Sequence, residues 1–234
     1  MPVSGSPASP RQPDRPRAAI SWSGGKDCCL ALLRARTAYD VCAAITMFAE
    51  DGNRSRSHGL RPEVLQAQAE RLGLTTLSGR CSWETYTDEY IRVLGEVAAL
   101  GITHVIFGDI MFDAHAAWNR RVCAAHGLTA VMPLWGEPTD ALLAEFLGTG
   151  SRAMVVTSRT ERLDPAWLGR TLDAAAHEEL TTLGVDPCGE QGEYHTLVVD
   201  SPVFSSPLPI QVGARVEQGP CWALDVTLVE PVAC

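Results

Sequence analysis

The sequence contains no apolar run that approaches the roughly 20 residues of a membrane-spanning helix, so no membrane span is predicted. A secretory signal is missing too, because the first 17 residues carry five prolines and three arginines around no apolar core. We interpret residues 1–17 as a disordered leader on a cytoplasmic protein. The rest of the 234-residue chain is long enough for one large domain or two small ones.

Paired cysteine motifs are also missing. The eight cysteines include no C-x-x-C pair, and none has a histidine at zinc-finger spacing, which argues against a structural zinc site. Most of them lie in apolar runs, where a reduced cysteine packs as a small hydrophobic residue. Cys188 differs because it stands in a polar, glycine-rich segment.

Basic residues are few, since 19 lysines and arginines stand against 28 acidic residues and leave a net charge of −9. A protein that grips nucleic acid through its phosphates usually carries a basic face. The basic residues of this chain are scattered, so the charge balance argues against a nucleic-acid partner.

Short apolar segments alternate with amphipathic ones over the first half of the chain. Near-continuous apolar strands separated by helices are typical of a parallel sheet covered on both faces. We therefore predict a doubly wound, Rossmann-like α/β domain over residues 18–132. Its predicted strands are 18–22, 41–48, 74–77, 102–107 and 128–132, and its predicted helices are 28–36, 62–72, 84–100 and 112–126.

The pattern changes after residue 132. Prolines and a glycine in residues 133–138 indicate a linker or domain entrance. Beyond it the sequence predicts helices at 140–147 and 165–183, strands at 153–157 and 196–199, and two proline-broken strands near the end. Residues 133–234 are therefore expected to form a smaller C-terminal α+β domain.

The most informative motif, Ser23-Gly24-Gly25-Lys26-Asp27, lies between the first predicted strand and the first predicted helix. It is not a Walker A loop, because Ile20 stands where that loop needs glycine and Asp27 where it needs Ser or Thr. It is not a dinucleotide fingerprint, because only two adjacent glycines are present. Two glycines before a helix still let an anion approach free N–H groups and the positive end of the helix dipole.

The side chains of this loop add further groups for an anion site. Lys26 brings a positive charge, Ser23 can donate its hydroxyl, and Asp27 can bind magnesium or cap the helix. A plain strand-to-helix turn is the alternative, because glycine pairs are common in turns.

The loop resembles the pyrophosphatase loop of the PP-loop ATPases, which usually reads S-G-G-x-D-S. Cys28 replaces the last serine of that motif, and a thiol is the weaker hydrogen-bond donor. Further segments resemble the diphthine–ammonia ligase family in its bacterial form: 55–60 (SRSHGL), 108–110 (GDI), 163–165 (LDP), 186–196 (DPCGEQGEYHT) and 200–204 (DSPVF). The resemblance implies a HUP-type nucleotide domain followed by a domain for substrate and ammonia.

That family adenylates a carboxylate with ATP, releases pyrophosphate and forms an amide with ammonia. The resemblance therefore implies ATP and Mg2+ as cofactors, with Asp27 and Asp109 near the metal. The residues it places against the nucleotide are Ser23, Gly24, Gly25, Lys26, Asp27, Cys28, His58, Gly108 and Asp109.

The segment from Cys188 to Thr196 is expected to close over the acyl group. The resemblance implies that Glu190 and Glu193 hold ammonium or take its proton, and that His195 acts as acid or base. Lys26 and Asp27 complete the predicted catalytic set. Substrate contacts are expected from Cys188, Gly189, Gly192, Tyr194 and Thr196.

Three functions stay open at this level. The first is the ligase, acting on a small carboxylic acid or a protein-borne carboxylate with ammonium as partner. The second is a tRNA-modifying PP-loop enzyme, which would require a basic face or a paired-cysteine sulfur relay, and the sequence shows neither. The third is a protein that binds or hydrolyses nucleotides alone and has no need of a glutamate-rich loop. The sequence leaves open whether the chain forms a homo-oligomer.

Overall fold

A computed structural model describes residues 15–229. Most of the predicted leader lies outside this range, and Arg17, its last residue, is already the first residue of a strand. No helix within the described range is long and apolar enough to cross a membrane.

The first half of the described chain is an alternation of strands and helices, as predicted. The strands are β1 (Arg17–Ser21), β2 (Asp40–Phe48), β3 (Thr75–Arg80), β4 (His104–Ile106) and β5 (Thr129–Val131), and the helices are α1 (Lys26–Ala35), α2 (Pro62–Leu72), α3 (Tyr86–Ala99) and α4 (Asp113–Ala124). All strand pairings are parallel, and the strand order is β3-β2-β1-β4-β5. The predicted Rossmann-like α/β architecture is confirmed.

Both faces of this sheet are buried, which explains why its strands are apolar almost without interruption. Ala18 and Ile20 of β1 belong to the core on the side of α1 and α2. Ala19 points the other way and belongs to a second core, which α3 and α4 cover. The alternation follows from the two-residue period of a strand.

The second half of the chain contains a four-stranded antiparallel sheet with two helices. Its strands are β6 (Arg152–Arg159), β7 (Tyr194–Asp200), β8 (Ile210–Gln218) and β9 (Cys221–Leu228), and its helices are α5 (Thr139–Gly148) and α6 (Ala174–Thr182). The strand order is β7-β6-β9-β8. This is the predicted α+β unit, and the predicted boundary at residue 133 falls between β5 and α5.

One predicted helix, 165–183, is wrong in its first half. A short 3-10 helix, Pro165–Trp167, is followed by Gly169 with a φ of +88°, a conformation that suits glycine and ends the turn. The chain then runs extended and hydrogen-bonds to β6. α6 starts only after Asp173, whose carboxylate accepts the N–H of Ala176 at 2.7 Å.

The two sheets share one continuous apolar core, which includes Ile20 of β1, Val155 of β6 and Leu197 of β7. They also meet through the backbone, because the N–H of Val198 donates to the carbonyl of Gly24 at 2.9 Å. The second sheet therefore packs directly against the loop that follows β1.

Candidate active site

The loop after β1 is held in a crowded position that only glycine permits. Gly24 has a φ of +85°, and a Cβ there would lie 2.6 Å from a methyl carbon of Leu65. A Cβ on Gly25 would lie 2.4 Å from Cε1 of His58. The glycines thus allow α2 and the neighbouring loop to close on this turn from one side.

The other side of the turn is open. The N–H groups of Asp27 and Cys28, in the first turn of α1, have no acceptor within the described part of the chain. Gly108 follows β4 directly opposite, and a Cβ there would lie 2.8 Å from the nitrogen of Cys28. Because glycine stands at this point, the N-terminus of α1 stays accessible to an anion.

A cavity of about 300 Å³ opens at this edge of the parallel sheet, and both halves of the chain line it. The predicted site residues that line it are Ser23, Lys26, Asp27, Cys28, His58, Gly108, Asp109, Cys188, Gly189, Glu190, Gly192, Tyr194, His195 and Thr196. Ser21, Ser57, Phe112 and His115 complete the wall. A smaller hollow, lined by Trp22, Thr46 and Tyr86 among others, adjoins it along Ser21, Ser23 and Ser57.

Three predicted residues do not line the cavity. Gly24 and Gly25 form the turn beneath it, as described. Glu193 is buried, and its carboxylate accepts the backbone N–H of Asp186 at 3.3 Å and that of Gln191 at 3.0 Å. These bonds tie the two ends of the 186–193 loop together, so the geometry favours a role for Glu193 in shaping the loop rather than in contacting ammonium.

Lys26 is buried under the C-terminal loop, with 3% of its surface exposed. Its ammonium donates to Oδ2 of Asp27 at 2.9 Å and to the carbonyl of Cys188, which leaves one of three N–H donors free. Burial acts to lower the pKa of Lys26, the adjacent negative charge of Asp27 opposes it, and the balance raises this pKa. Lys26 is therefore a permanent cation at the base of the cavity.

Two aspartates offer oxygen ligands for a magnesium ion. Asp109 lies opposite α1, with one carboxylate oxygen accepting from Asn119 at 2.9 Å and the other 3.3 Å from Nδ1 of His115. Asp27 uses one oxygen for Lys26 and presents the cavity with the rest of its carboxylate. No cluster of three or more metal-ligating side chains occurs among residues 15–229. The pair fits Mg2+, which usually takes one or two carboxylates and completes its shell with phosphate oxygens and water.

Glu190 carries the most informative ionisation in the cavity. Burial raises its pKa to about 7, with a contribution from the negative charge of Asp27 and a smaller opposing one from Lys26. A carboxyl group with a pKa near 7 exchanges protons readily at neutral pH, which suits a general base.

Two imidazole rings, of His58 and His195, stack on each other with their centroids 4.6 Å apart. Burial lowers the pKa of His58 to about 4 and that of His195 to about 3, so both rings are neutral at pH 7. Nδ1 of His58 lies 2.9 Å from the carbonyl oxygen of Thr196, and only a protonated Nδ1 can bond to a carbonyl. This bond assigns the tautomer and leaves Nε2 of His58 as an acceptor.

The two thiols of the site are buried and hydrogen-bonded. Cys188 is 3% exposed, its thiol donates to the carbonyl of Thr139 at 3.3 Å, and burial raises its pKa far above the ordinary value. Cys28, which stands where the PP-loop motif has serine, donates to the carbonyl of Gly25 at 3.1 Å and accepts from the hydroxyl of Ser23. Burial raises the pKa of Cys28 as well, so neither sulfur is a ready nucleophile.

A carboxylate from the second sheet holds the segment that carries His58. Asp225 of β9 accepts two hydrogen bonds from Arg61, at 2.8 and 2.9 Å, and one from Arg54 at 2.8 Å. The hydrogen bonds from Arg61 lower the pKa of Asp225, burial opposes them, and the hydrogen bond from Arg54 lowers it further, to about 2. No local pattern in the sequence marks Asp225, because its partners lie more than 160 residues away.

Comparison with known proteins gives a consistent picture over most of the chain. The family model described as "Diphthamide synthase N-terminal domain" matches residues 16–130, and the one described as "Diphthamide synthase C-terminal domain" matches residues 138–229.

Curated relatives carry one common name. A protein of Schizosaccharomyces pombe named "Diphthine--ammonia ligase" is 27% identical over 78% of this chain, but the match spans only 34% of that longer protein. A protein of the same name from Rattus norvegicus is 26% identical over 86% of this chain and 85% of its own length. A solved chain described as a predicted subunit of tRNA methyltransferase from Methanocaldococcus jannaschii covers 80% of this chain and 98% of its own, with 14% identity and a TM-score of 0.42.

Proposed function

This chain belongs to the diphthamide synthase family, and on that premise we propose that it is an ATP-dependent ligase that adenylates a carboxylate and amidates it with ammonia. One observation carries the proposal: a single cavity contains both the open N-terminus of α1 beside Lys26 and the glutamate with a pKa of about 7. The first arrangement suits a phosphate group, and the second suits removal of a proton from ammonium.

In the first step a carboxylate oxygen of the substrate attacks the α-phosphorus of ATP, and the bond to the β-phosphate oxygen breaks to release pyrophosphate. The N–H groups of Asp27 and Cys28 and the free N–H of Lys26 would stabilise the negative charge that develops on the phosphate oxygens. Asp27 and Asp109 would hold Mg2+, which would supply positive charge to offset the negative charge of the phosphates. Thr196 of β7 fixes the position of the loop that follows β1, because its hydroxyl accepts the backbone N–H of Lys26 at 3.1 Å.

In the second step ammonia attacks the acyl carbon and AMP leaves. Ammonium must first lose a proton, and Glu190 lines the same cavity with a pKa suited to accept it. Nε2 of His58 offers a neutral acceptor that can orient an N–H of the incoming nitrogen. His195 remains neutral down to about pH 3, so we assign it a packing role against His58 rather than acid catalysis.

The rat and fission yeast relatives are named for diphthine, and we extend to this chain only the reaction class, with a small or protein-borne carboxylate as substrate and ammonia as partner. A protein that only hydrolyses nucleotides would have no use for Glu190 in the cavity. A tRNA-modifying enzyme would need a basic surface around the site, whereas three carboxylates and a single lysine line this cavity.

The test is pyrophosphate release from ATP and Mg2+ with a panel of carboxylic acids, each with and without ammonium. We expect AMP and pyrophosphate in equal amounts, and amide only when ammonium is present. Lys26→Ala should abolish release, whereas Glu190→Gln should leave ATP–pyrophosphate exchange in place and block amide formation. Production of ADP and phosphate would contradict the adenylation step.

A further inference from the structure

Arg159, the last residue of β6, lies on the sheet face that looks towards the cavity. Thr157 pairs with His195 in the β6–β7 register, and side chains two residues apart on a strand share a face. Arg159 therefore projects on the same side as Thr157 and His195. This face of the sheet contacts the segment that carries His58, since the hydroxyl of Thr157 lies 3.5 Å from the carbonyl of His58.

The guanidinium group of Arg159 borders the cavity wall at Gly192. A Cβ built on Gly192 would lie 3.6 Å from an Nη atom of Arg159, and Gly192 itself lines the cavity. The positive charge of Arg159 also reaches the site. Burial is the main reason for the low pKa of His195, and Arg159 is among the charges that lower it further.

The same guanidinium lacks a partner. Its Nε is buried without a hydrogen bond, and within residues 15–229 its guanidinium forms no ion pair. Arg34 and Arg61 are bonded to carboxylates, and Arg56, whose Nε is also buried and unpaired, stacks its guanidinium over the ring of Trp83. Leaving a buried donor unpaired costs free energy, so a group that ligand binding would pair is expected here.

We propose that Arg159 binds the carboxylate of the substrate acid at the Gly192 side of the cavity and presents it to the nucleotide. This inference rests on the proposed ligase function. A cation there would attract an incoming acid, which the phosphates of bound ATP and the ionised form of Glu190 would repel. Lys26 has two of its three donors committed, whereas a planar guanidinium with free donors matches a carboxylate in a bidentate contact.

The first experiment needs no turnover. Phenylglyoxal modifies free guanidinium groups, and peptide mass spectrometry would follow its rate at each arginine of the full chain with Mg2+ and α,β-methylene ATP present. Acetate, succinate or glutamate should slow modification of Arg159 several-fold relative to chloride at equal ionic strength. Arg162, which is exposed and bonded only to Gln191, serves as the internal control and should not change.

Two outcomes of this experiment would overturn the inference. The first is an equal effect, or none, at Arg159 and Arg162 with every acid. The second is protection of Arg159 by inorganic phosphate but by no carboxylate, which would make it a phosphate contact instead.

The second experiment compares Arg159→Met with Arg162→Met in the pyrophosphate-release assay. Loss of a charge-assisted hydrogen-bond pair predicts an apparent KM for the acid about 10- to 100-fold higher in Arg159→Met. The KM for ATP should stay unchanged, and Arg159→Lys should recover part of the loss. An equal rise in both KM values would overturn the assignment. If no acid elicits pyrophosphate release from the wild type, the ligase proposal fails, while the modification experiment still reports on anion binding.

Discussion

Replacing Glu190 by glutamine should remove one titration from the pH profile of amide formation while leaving adenylation intact. In the folded protein, burial and the neighbouring Asp27 keep the pKa of this carboxyl at about 7. Because the protonated acid is the favoured form in the cavity, Glu190 loses its capacity to accept a proton as the pH falls through 7. Glutamine has nearly the same shape and lacks this capacity at every pH.

The magnitude follows from the ionised fraction. With a pKa of about 7, roughly one Glu190 in eleven is ionised at pH 6, half at pH 7 and ten in eleven at pH 8. The rate ratio of wild type to Glu190→Gln should therefore rise about fivefold from pH 6 to pH 7 and less than twofold from pH 7 to pH 8. At pH 8 the ratio itself should be about 100 or more, the usual contribution of a general base.

The ratio of the wild-type rate to the Glu190→Gln rate also cancels the effect of pH on the concentration of free ammonia. Free ammonia increases with pH at fixed total ammonium, but it does so equally for both proteins. The assay is amide formation at saturating ATP and acid, with ATP–pyrophosphate exchange measured in parallel. Glu179→Gln, at an exposed carboxylate paired with Arg170, is the matched control and should follow the wild type. A ratio that stays constant between pH 6 and pH 8 would refute the assignment of Glu190 as the proton acceptor.

Three further predictions concern the framework of the site. Gly25→Ala places a Cβ 2.4 Å from His58 and should lower the melting temperature by about 3–10 °C through overpacking, whereas Gly148→Ala, with nothing within 4 Å, should be neutral or slightly stabilising in thermal scans. Asp225→Asn should destabilise the chain by about 1 kcal/mol at pH 7, since these contacts are partly exposed. Because the folded-state pKa of Asp225 is lowered to about 2, the difference from wild type should be complete above about pH 4 and shrink as the pH falls towards 2, and a difference independent of pH would contradict the charged contact. Cys188→Ala should retain turnover within a few-fold, because the buried thiol is not ionised; inactivation by this change, with normal folding by circular dichroism, would restore a nucleophilic role.

Local chemistry in the chain was enough to predict the α/β half of the fold. Buried parallel strands and amphipathic helices have distinct periods, so β1 to β5 and α1 to α4 could be read with shifts of only a few residues at their ends. The predicted helix at 165–183 is wrong in its first half because local periodicity does not report long-range contacts. The segment after Gly169 is extended because it hydrogen-bonds to β6, a long-range contact that no local pattern displays.

The sequence alone also predicts the kind of chemistry near β1, since a glycine pair, a lysine and an aspartate between a strand and a helix are typical of an anion site. What only the tertiary structure decided is how distant groups are paired. Glu190 and Glu193 look equivalent in the sequence, yet one lines the cavity and the other is bonded to the loop backbone. The roles of Arg159 and Asp225 likewise depend on β6 and β9 meeting the first half of the chain. Burial and neighbouring groups set the protonation state of a side chain and the groups it can contact. Burial and neighbours are properties of the folded molecule.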